Sequence, residues 1–192
     1  MARSNRSAAS LPVALELLAS DHRKVEALFD RFDEEKEDGE ESRRDLAERI
    51  CKELTAHTRI EEEIFYPWLR ENLDAESRDL IDEALVEHAT AKDLIAQIEG
   101  AGDVDETYDA RVKVLGEYVR HHVREEENEI FPQVAGEQDE LDELGQEMHA
   151  CRAELMEELG LPAQGEDEGA GMGKATRARR PEARQPAQRS SH

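Results

Sequence analysis

His57-Thr58-Arg59-Ile60-Glu61-Glu62-Glu63-Ile64-Phe65-Tyr66-Pro67 is the stretch on which the reading of the fold turns. It sets a histidine and a glutamate four residues apart, then an aromatic pair and a proline. On a helix, positions i and i+4 share a face, so His57 and Glu61 present a nitrogen and a carboxylate to one point. The pattern returns 65 residues on as His122, Glu126 and Ile130-Phe131-Pro132. A lone histidine precedes each copy, His22 and His88, and these are 66 residues apart. A repeat that holds its register this well implies two similar helix pairs packed face to face, with the duplicated ligands between them.

Outward from that stretch the chain reads as helix after helix. The first, from near Ser10 or Pro12 to Gly39, turns Leu11, Leu15, Leu18, His22, Val25, Phe29 and Phe32 inward. A second, about 41–72, carries Leu46, Ile50, Leu54, His57, Glu61, Ile64 and Trp68, with Pro67 loosening its last turns because proline has no N–H to donate. The third runs from an Asp74 or Ser77 cap to Gly100 with Ile81, Leu85 or Ala84, His88, Ala91, Ile95 and Ile98 inward. The fourth, about 105–134, points Leu115, Val119, His122, Glu126 and Ile130 the same way. After Gly136 a fifth helix, roughly 137–159, offers Leu141, Leu144, Met148, Cys151, Leu155 and Leu159 for packing across the core or for a dimer contact. The fold class is all-α, an antiparallel four-helix bundle with an additional C-terminal helix. Residues 11–160 form the domain; 1–10 and the Arg-, Gly- and Ala-rich 161–192 are expected to be disordered.

Composition agrees. The chain has 192 residues, only 8 of them Phe, Trp or Tyr, which favours helix over strand and suffices for one domain with tails. Its 48 Asp/Glu against 25 Lys/Arg give a formal charge of −23, and the acidity is concentrated between 11 and 162. Such a field repels nucleic acid and anionic lipid and concentrates cations. Cys51 and Cys151 are far apart and sit beside apolar helical positions, which favours buried thiols over a disulfide. Arg3 and Arg6 precede an apolar run, but Glu16 interrupts it and the run is in phase with His22, so it is read as the first helix. With no stretch approaching the roughly 20 apolar residues of a membrane span, a cytoplasmic protein is expected. The arginines from Arg177 to Arg189 lack aromatic interleaving and read as a solubilising tail.

Four histidines and two glutamates on the inward stripes of four helices need a common explanation. Two buried carboxylates without partners are costly, whereas coordination to cations satisfies them. Imidazole and carboxylate without thiolate suit iron, manganese or zinc, and two bridging carboxylates suit a pair of ions. The ferritin-type pattern needs a glutamate three residues before a histidine; Ala19, Leu54, Leu85 and Val119 stand there. His121 and Glu125 also make a His-x-x-x-Glu pair, but only His122 falls ten residues before its proline, as His57 does. His121 is therefore expected in the surroundings of the site or in solvent, Tyr118 packed or hydrogen-bonded near it, and Glu62, Glu63 and Glu125 solvated.

Those two strings, with His22 and His88, resemble the hemerythrin-like proteins with a histidine/histidine-glutamate (HHE) cation-binding domain, over nearly all of residues 11–160. The resemblance implies a bundle holding two non-haem iron ions, bridged by carboxylate and by oxo or hydroxo groups. It makes His22, His57, His88 and His122 terminal ligands and Glu61 and Glu126 bridges. Oxygen-carrying members have a further histidine one turn from the third-helix ligand, where this chain has Ala84 and Lys92. That departure leaves an open position on each iron and shifts the expectation from oxygen carriage toward reactivity. The function implied is binding or sensing of dioxygen, nitric oxide or peroxide, in oxidative or nitrosative stress or iron homeostasis, by a monomer or homodimer. A redox enzyme turning over peroxide or nitric oxide or repairing iron centres, and a metal-stapled interaction module, are the alternatives.

Overall fold

The computed structural model describes residues 11–34, 39–102, 104 and 106–162. Among the described residues it is all-α, with no strand and with five helical rods. Helix α1 is Val13–Glu34. Helix α2 begins as Glu40–Ile60 and continues through a π-helical turn, Glu61–Phe65, into Tyr66–Asn72. Helix α3 is Ala75–Glu99. Helix α4 repeats the plan of α2, with Glu106–Glu125, a π-helical turn Glu126–Ile130, and Phe131–Val134. Helix α5 is Gln138–Glu158. The disorder expected for 1–10 and for nearly all of 161–192 concerns segments outside the described residues, as does the Arg-rich tail. No described helix is long and apolar enough to cross a membrane.

Local chemistry sets the helix ends. Asp74, not Ser77, caps α3: its carboxylate accepts the Ser77 N–H at 2.9 Å, satisfying one of the donors that a helix start leaves free. The first turn of α1 is served from a distance, because Val13 N–H donates to Asp142 of α5 at 2.8 Å. Gly145, one turn further along α5, makes that approach possible. A Cβ there would lie 2.5 Å from the Ala14 nitrogen, so any larger residue would drive the two helices apart.

Three stripes differ from the sequence reading. Leu11 precedes α1 and is exposed. Along α2 the buried series runs Leu46, Ile50, Leu54, His57, Glu61 and then Phe65 and Leu69, with Ile64 and Trp68 only partly covered. The wide π-helical turn takes up more residues than an α-turn, so everything after Glu61 faces one residue later than 3.6-residue periodicity predicts. In α5 the buried face is Leu141, Gly145, Met148, Arg152, Leu155 and Met156, while Leu144, Cys151 and Leu159 are half-buried. An arginine takes the inward place expected for Cys151.

Two apolar clusters fill the bundle. One holds Leu15, Leu18, Ile60, Phe65, Ile81 and Phe131 together with the inner face of α5. The other holds Phe29, Ile50, Leu54, Ile95, Leu115 and Val119. The histidines and glutamates of the repeat form a polar layer between them.

Candidate metal centre

Each half of the layer is built the same way. The π-helical turns begin at Glu61 and Glu126 themselves, and each is closed by a bond reaching back five residues, from Tyr66 N–H to Glu61 C=O and from Phe131 N–H to Glu126 C=O. A proline follows directly, Pro67 or Pro132. Having no N–H and a ring that crowds the preceding turn, it suits a place where the helix has already widened. The loosening predicted for Pro67 thus takes the form of a π-helical turn at the carboxylate, without ending the helix.

All six sequence-predicted residues meet in the layer, and all are buried. His22 Nε2 lies 3.2 Å from His57 Nε2 and 3.1 Å from Glu126 Oε2. His88 Nε2 lies 3.3 Å from His122 Nε2. Glu61 spans the two groups, with Oε1 3.1 Å from His57 Nε2 and Oε2 3.3 Å from His88 Nε2. The ligand atoms of His22, His57, Glu61 and Glu126 fall within 4.8 Å of one another, as do those of Glu61, His88 and His122. Phe131 stacks on His22 and Tyr66 on His88, with ring centroids 6.1 and 5.5 Å apart.

The far side of each imidazole faces a carboxylate. His22 Nδ1 meets Glu127 at 2.9 Å, His88 Nδ1 meets Glu62 at 3.0 Å, and His122 Nδ1 meets Glu87 at 3.0 Å. Asp21 stands 3.9 Å from His57 Nδ1. These acceptors also obey the repeat, since each is the residue before a lone histidine or after a layer glutamate. That regularity is the signal in the sequence that would have found them. Glu62, expected to be solvated, instead orients His88 and is held by Lys92 at 2.6 Å. Glu63 is exposed and pairs with Arg59, and Glu125 meets His121 at the surface.

Asp21 leads to a feature not foreseen in the sequence. Arg152 of α5 grips it through Nε and Nη2, each 2.7 Å from an Asp21 oxygen, and reaches Glu53 at 3.4 Å. Lys24 closes on Glu53 at 2.6 Å. Arg152, Asp21 and Glu53 are all buried. The fifth helix therefore braces the surroundings of His57 through a buried ion network. Tyr118 is exposed, and His121 lies in solvent beside Glu125 and Glu87. The tyrosine that reaches the layer is Tyr66.

The donors fit a pair of cations. A carboxylate at Nδ1 keeps the ring hydrogen there and turns the Nε2 lone pair inward. Two Nε2 atoms at 3.2–3.3 Å then need a positive charge between them. In addition, all four oxygens of Glu61 and Glu126 are buried without a hydrogen-bond donor. Protons meet part of the need in the metal-free protein: burial pushes His57 down, but Glu61 and Asp21 outweigh it and hold the imidazole well above its ordinary range. His22 and His122 are raised against the same burial, by Glu126 and Glu127 and by Glu87. Burial would raise Glu61, yet His57 and His88 hold it well below the usual carboxylate range. Burial, then Glu126 and Glu61, pushes the Tyr66 phenol well up, so it keeps its proton.

A small apolar cavity of about 20 Å³, open to solvent at its mouth, touches all four histidines. Val25, Leu54, Ala91 and Val119 line it, each three residues from a layer histidine. Leu54 and Val119 are the positions where a ferritin-type site would carry a glutamate, and here they leave one side of the layer unencumbered.

Comparison with known proteins agrees with this geometry. The chain is 27% identical over 153 residues to a DNA nickase of Nostoc sp. strain PCC 7120, covering 78% of this chain and 42% of that protein. It thus spans about two fifths of that relative's length. No solved structure gives a significant match. The family described as Hemerythrin HHE cation binding domain matches residues 13–134, from the start of α1 to the end of α4, and the chain belongs to that cation-binding family.

Proposed function

We propose that this chain is a non-haem di-iron protein whose centre, held by His22, His57, Glu61, His88, His122 and Glu126, binds or senses dioxygen, nitric oxide or peroxide. The observation that carries this reading is the apolar cavity against the imidazoles of both halves, beside carboxylates that have no donor of their own. Iron bound there supplies reversible ligation or electron transfer to a small diatomic or peroxidic ligand. The protein's share is selection and protection. Four apolar side chains admit a small weakly polar molecule and keep bulk water off the layer, and the Nδ1 carboxylates fix the rings. A role in oxidative or nitrosative stress, or in iron homeostasis, follows from such chemistry.

The test is metal analysis of aerobically purified protein, followed by anaerobic optical titration of the reduced form with dioxygen, nitric oxide and peroxide in turn. About two irons per chain and a reversible spectral change with one gas are expected. Protein without iron, or a spectrum indifferent to all three, would overturn the reading. Tyr66 favours a second reading, turnover of peroxide or nitric oxide, because its buried phenol, stacked on His88, keeps its proton and can donate a hydrogen bond to an anionic ligand. Slower decay under excess peroxide in Tyr66→Phe, with binding unchanged, would support it. A metal staple is the third possibility, and it requires Glu61→Gln/Glu126→Gln protein to lose its fold along with its metal. Strand cleavage, the activity named for the Nostoc relative, is not part of this reading, since a chain with 48 acidic against 25 basic residues repels phosphate backbones.

A further inference from the structure

The repeat keeps its six residues in register inside the layer and breaks down just outside it, around the carboxylates that face His57 and His122. In the first half, Asp21 is buried and clamped by Arg152, so a guanidinium provides the positive charge. Its neighbours at the equivalent positions are Ala56 and Ile60, both buried. In the second half Glu87 replaces Asp21, His121 replaces Ala56 and Glu125 replaces Ile60. Among the described residues no arginine pairs with Glu87. Instead His121 Nε2 lies 3.7 Å from Glu87 Oε1 and 3.2 Å from Glu125 Oε1, and the three ligand atoms are within 4.8 Å of one another.

This outer group is not isolated. A narrow cleft of about 10 Å³, open to solvent, is lined both by Glu87 and Glu125 of this group and by His122 and Glu126 of the layer. Both oxygens of Glu126, which is 1% exposed, are buried without a donor. Exposure falls along the series, from 52% at the His121 side chain through 34% at Glu125 and 15% at Glu87 to 9% at His122. Glu87 belongs to both ends, one oxygen facing His121 and the other 3.0 Å from His122 Nδ1. One nitrogen and two carboxylates suit a first-row divalent ion better than calcium or magnesium.

We propose that Glu87, His121 and Glu125 form an outer divalent-cation site that captures metal from solvent and passes it along this cleft to the layer. The role of the outer site rests on the di-metal reading of the layer. Where the first half has a built-in guanidinium, the second has an exchangeable ion. The asymmetry makes the α3–α4 side the loading face and the α5 side the sealed one.

The test uses the full metal-loaded chain and its His121→Ala/Glu125→Gln variant, which leaves the six layer residues untouched. Mn2+ is titrated into each and followed by electron paramagnetic resonance, and release of the resident metal to a chelator is timed. One additional weakly bound Mn2+ is expected, absent in the variant, together with release slowed by roughly tenfold, the lower end of what electrostatic focusing of an ion contributes to its rates. Failure to bind the additional ion, or its persistence in the variant, overturns the outer site. Loss of that ion with an unchanged release rate overturns the loading role. Protein that holds no resident metal after reconstitution overturns the di-metal reading and the loading role with it, and the Mn2+ titration still scores the outer site separately.

Discussion

Arg152→Met offers the sharpest trial of the idea that the fifth helix, which lies beyond the family match, belongs to the centre. Methionine keeps much of the arginine's volume, so the main loss is electrostatic. Two 2.7 Å bonds to Asp21 vanish, and Asp21 and Glu53 are left buried with His57 at 3.9 Å from Asp21 and Lys24 on Glu53. All three members of the broken group are under 5% exposed, so solvent screens little of the effect. Breaking a buried pair on one side costs about 3–5 kcal/mol. At roughly 2–4 °C per kcal/mol for a chain of this size, Tm should fall by roughly 6–20 °C. The acid limb should move as well. Burial raises Asp21, but His57 and Arg152 outweigh it and hold its carboxyl below the ordinary 3.8. Such a group stabilises the fold above its ordinary value and ceases to do so as pH falls through its lower folded value. Without Arg152 that loss begins at higher pH, so the acid unfolding midpoint rises. Thermal and acid unfolding followed by circular dichroism check both points. Adding Asp21→Asn to the variant removes the stranded charge and should recover part of the loss, which also keeps the experiment readable if the single variant does not fold. A Tm within roughly 2 °C of the parent, or no recovery in the double variant, would refute the reasoning.

Glu61→Gln should abolish tight binding at both positions, because Glu61 belongs to both ligand groups, while Glu62→Gln should keep both ions and weaken the His88 side by about 10–100-fold; equilibrium dialysis with Co2+ distinguishes them, and parental affinity in Glu61→Gln would contradict the assignment. Raised histidines stabilise the metal-free fold fully below their ordinary 6.5 and lose that contribution as pH climbs through their higher folded values, whereas the lowered Glu61 contributes above its ordinary 4.5 and fails only on the acid side. The metal-bound form needs those imidazoles deprotonated, so the Tm difference between loaded and metal-free protein should widen from pH 6 to pH 8; a constant or narrowing gap counts against it. Burial pushes the Cys51 thiol up to about 12, so at pH 8 it should resist a thiol reagent until the protein unfolds, while half-buried Cys151 reacts first. Equal native rates for the two cysteines would place Cys51 outside the core.

By itself the sequence determined the helices, their order and the six residues of the layer. It could do so because a helix converts linear spacing into direction: His57 and Glu61, or His122 and Glu126, share a face by geometry alone, and the second copy fixes which of two adjacent histidines is meant. It also held the clue to the carboxylates behind the rings, which stand one residue from a layer histidine or glutamate in both copies. Periodicity stopped being a guide where the helix changed pitch, and from the π-helical turn of α2 onward Phe65 and Leu69 took the places expected for Ile64 and Trp68. Only the tertiary structure decided where Arg152 points. Hydropathy sends a charged residue outward and a cysteine inward, yet in α5 Arg152 is buried and Cys151 only half-buried, because Asp21 and Glu53, from two other helices, supply the countercharge that makes a buried guanidinium tolerable. The same contact seals one side of the layer and leaves Glu87, His121 and Glu125 open on the other. That difference between two near-identical halves lies in what packs against them, which no spacing within either half records.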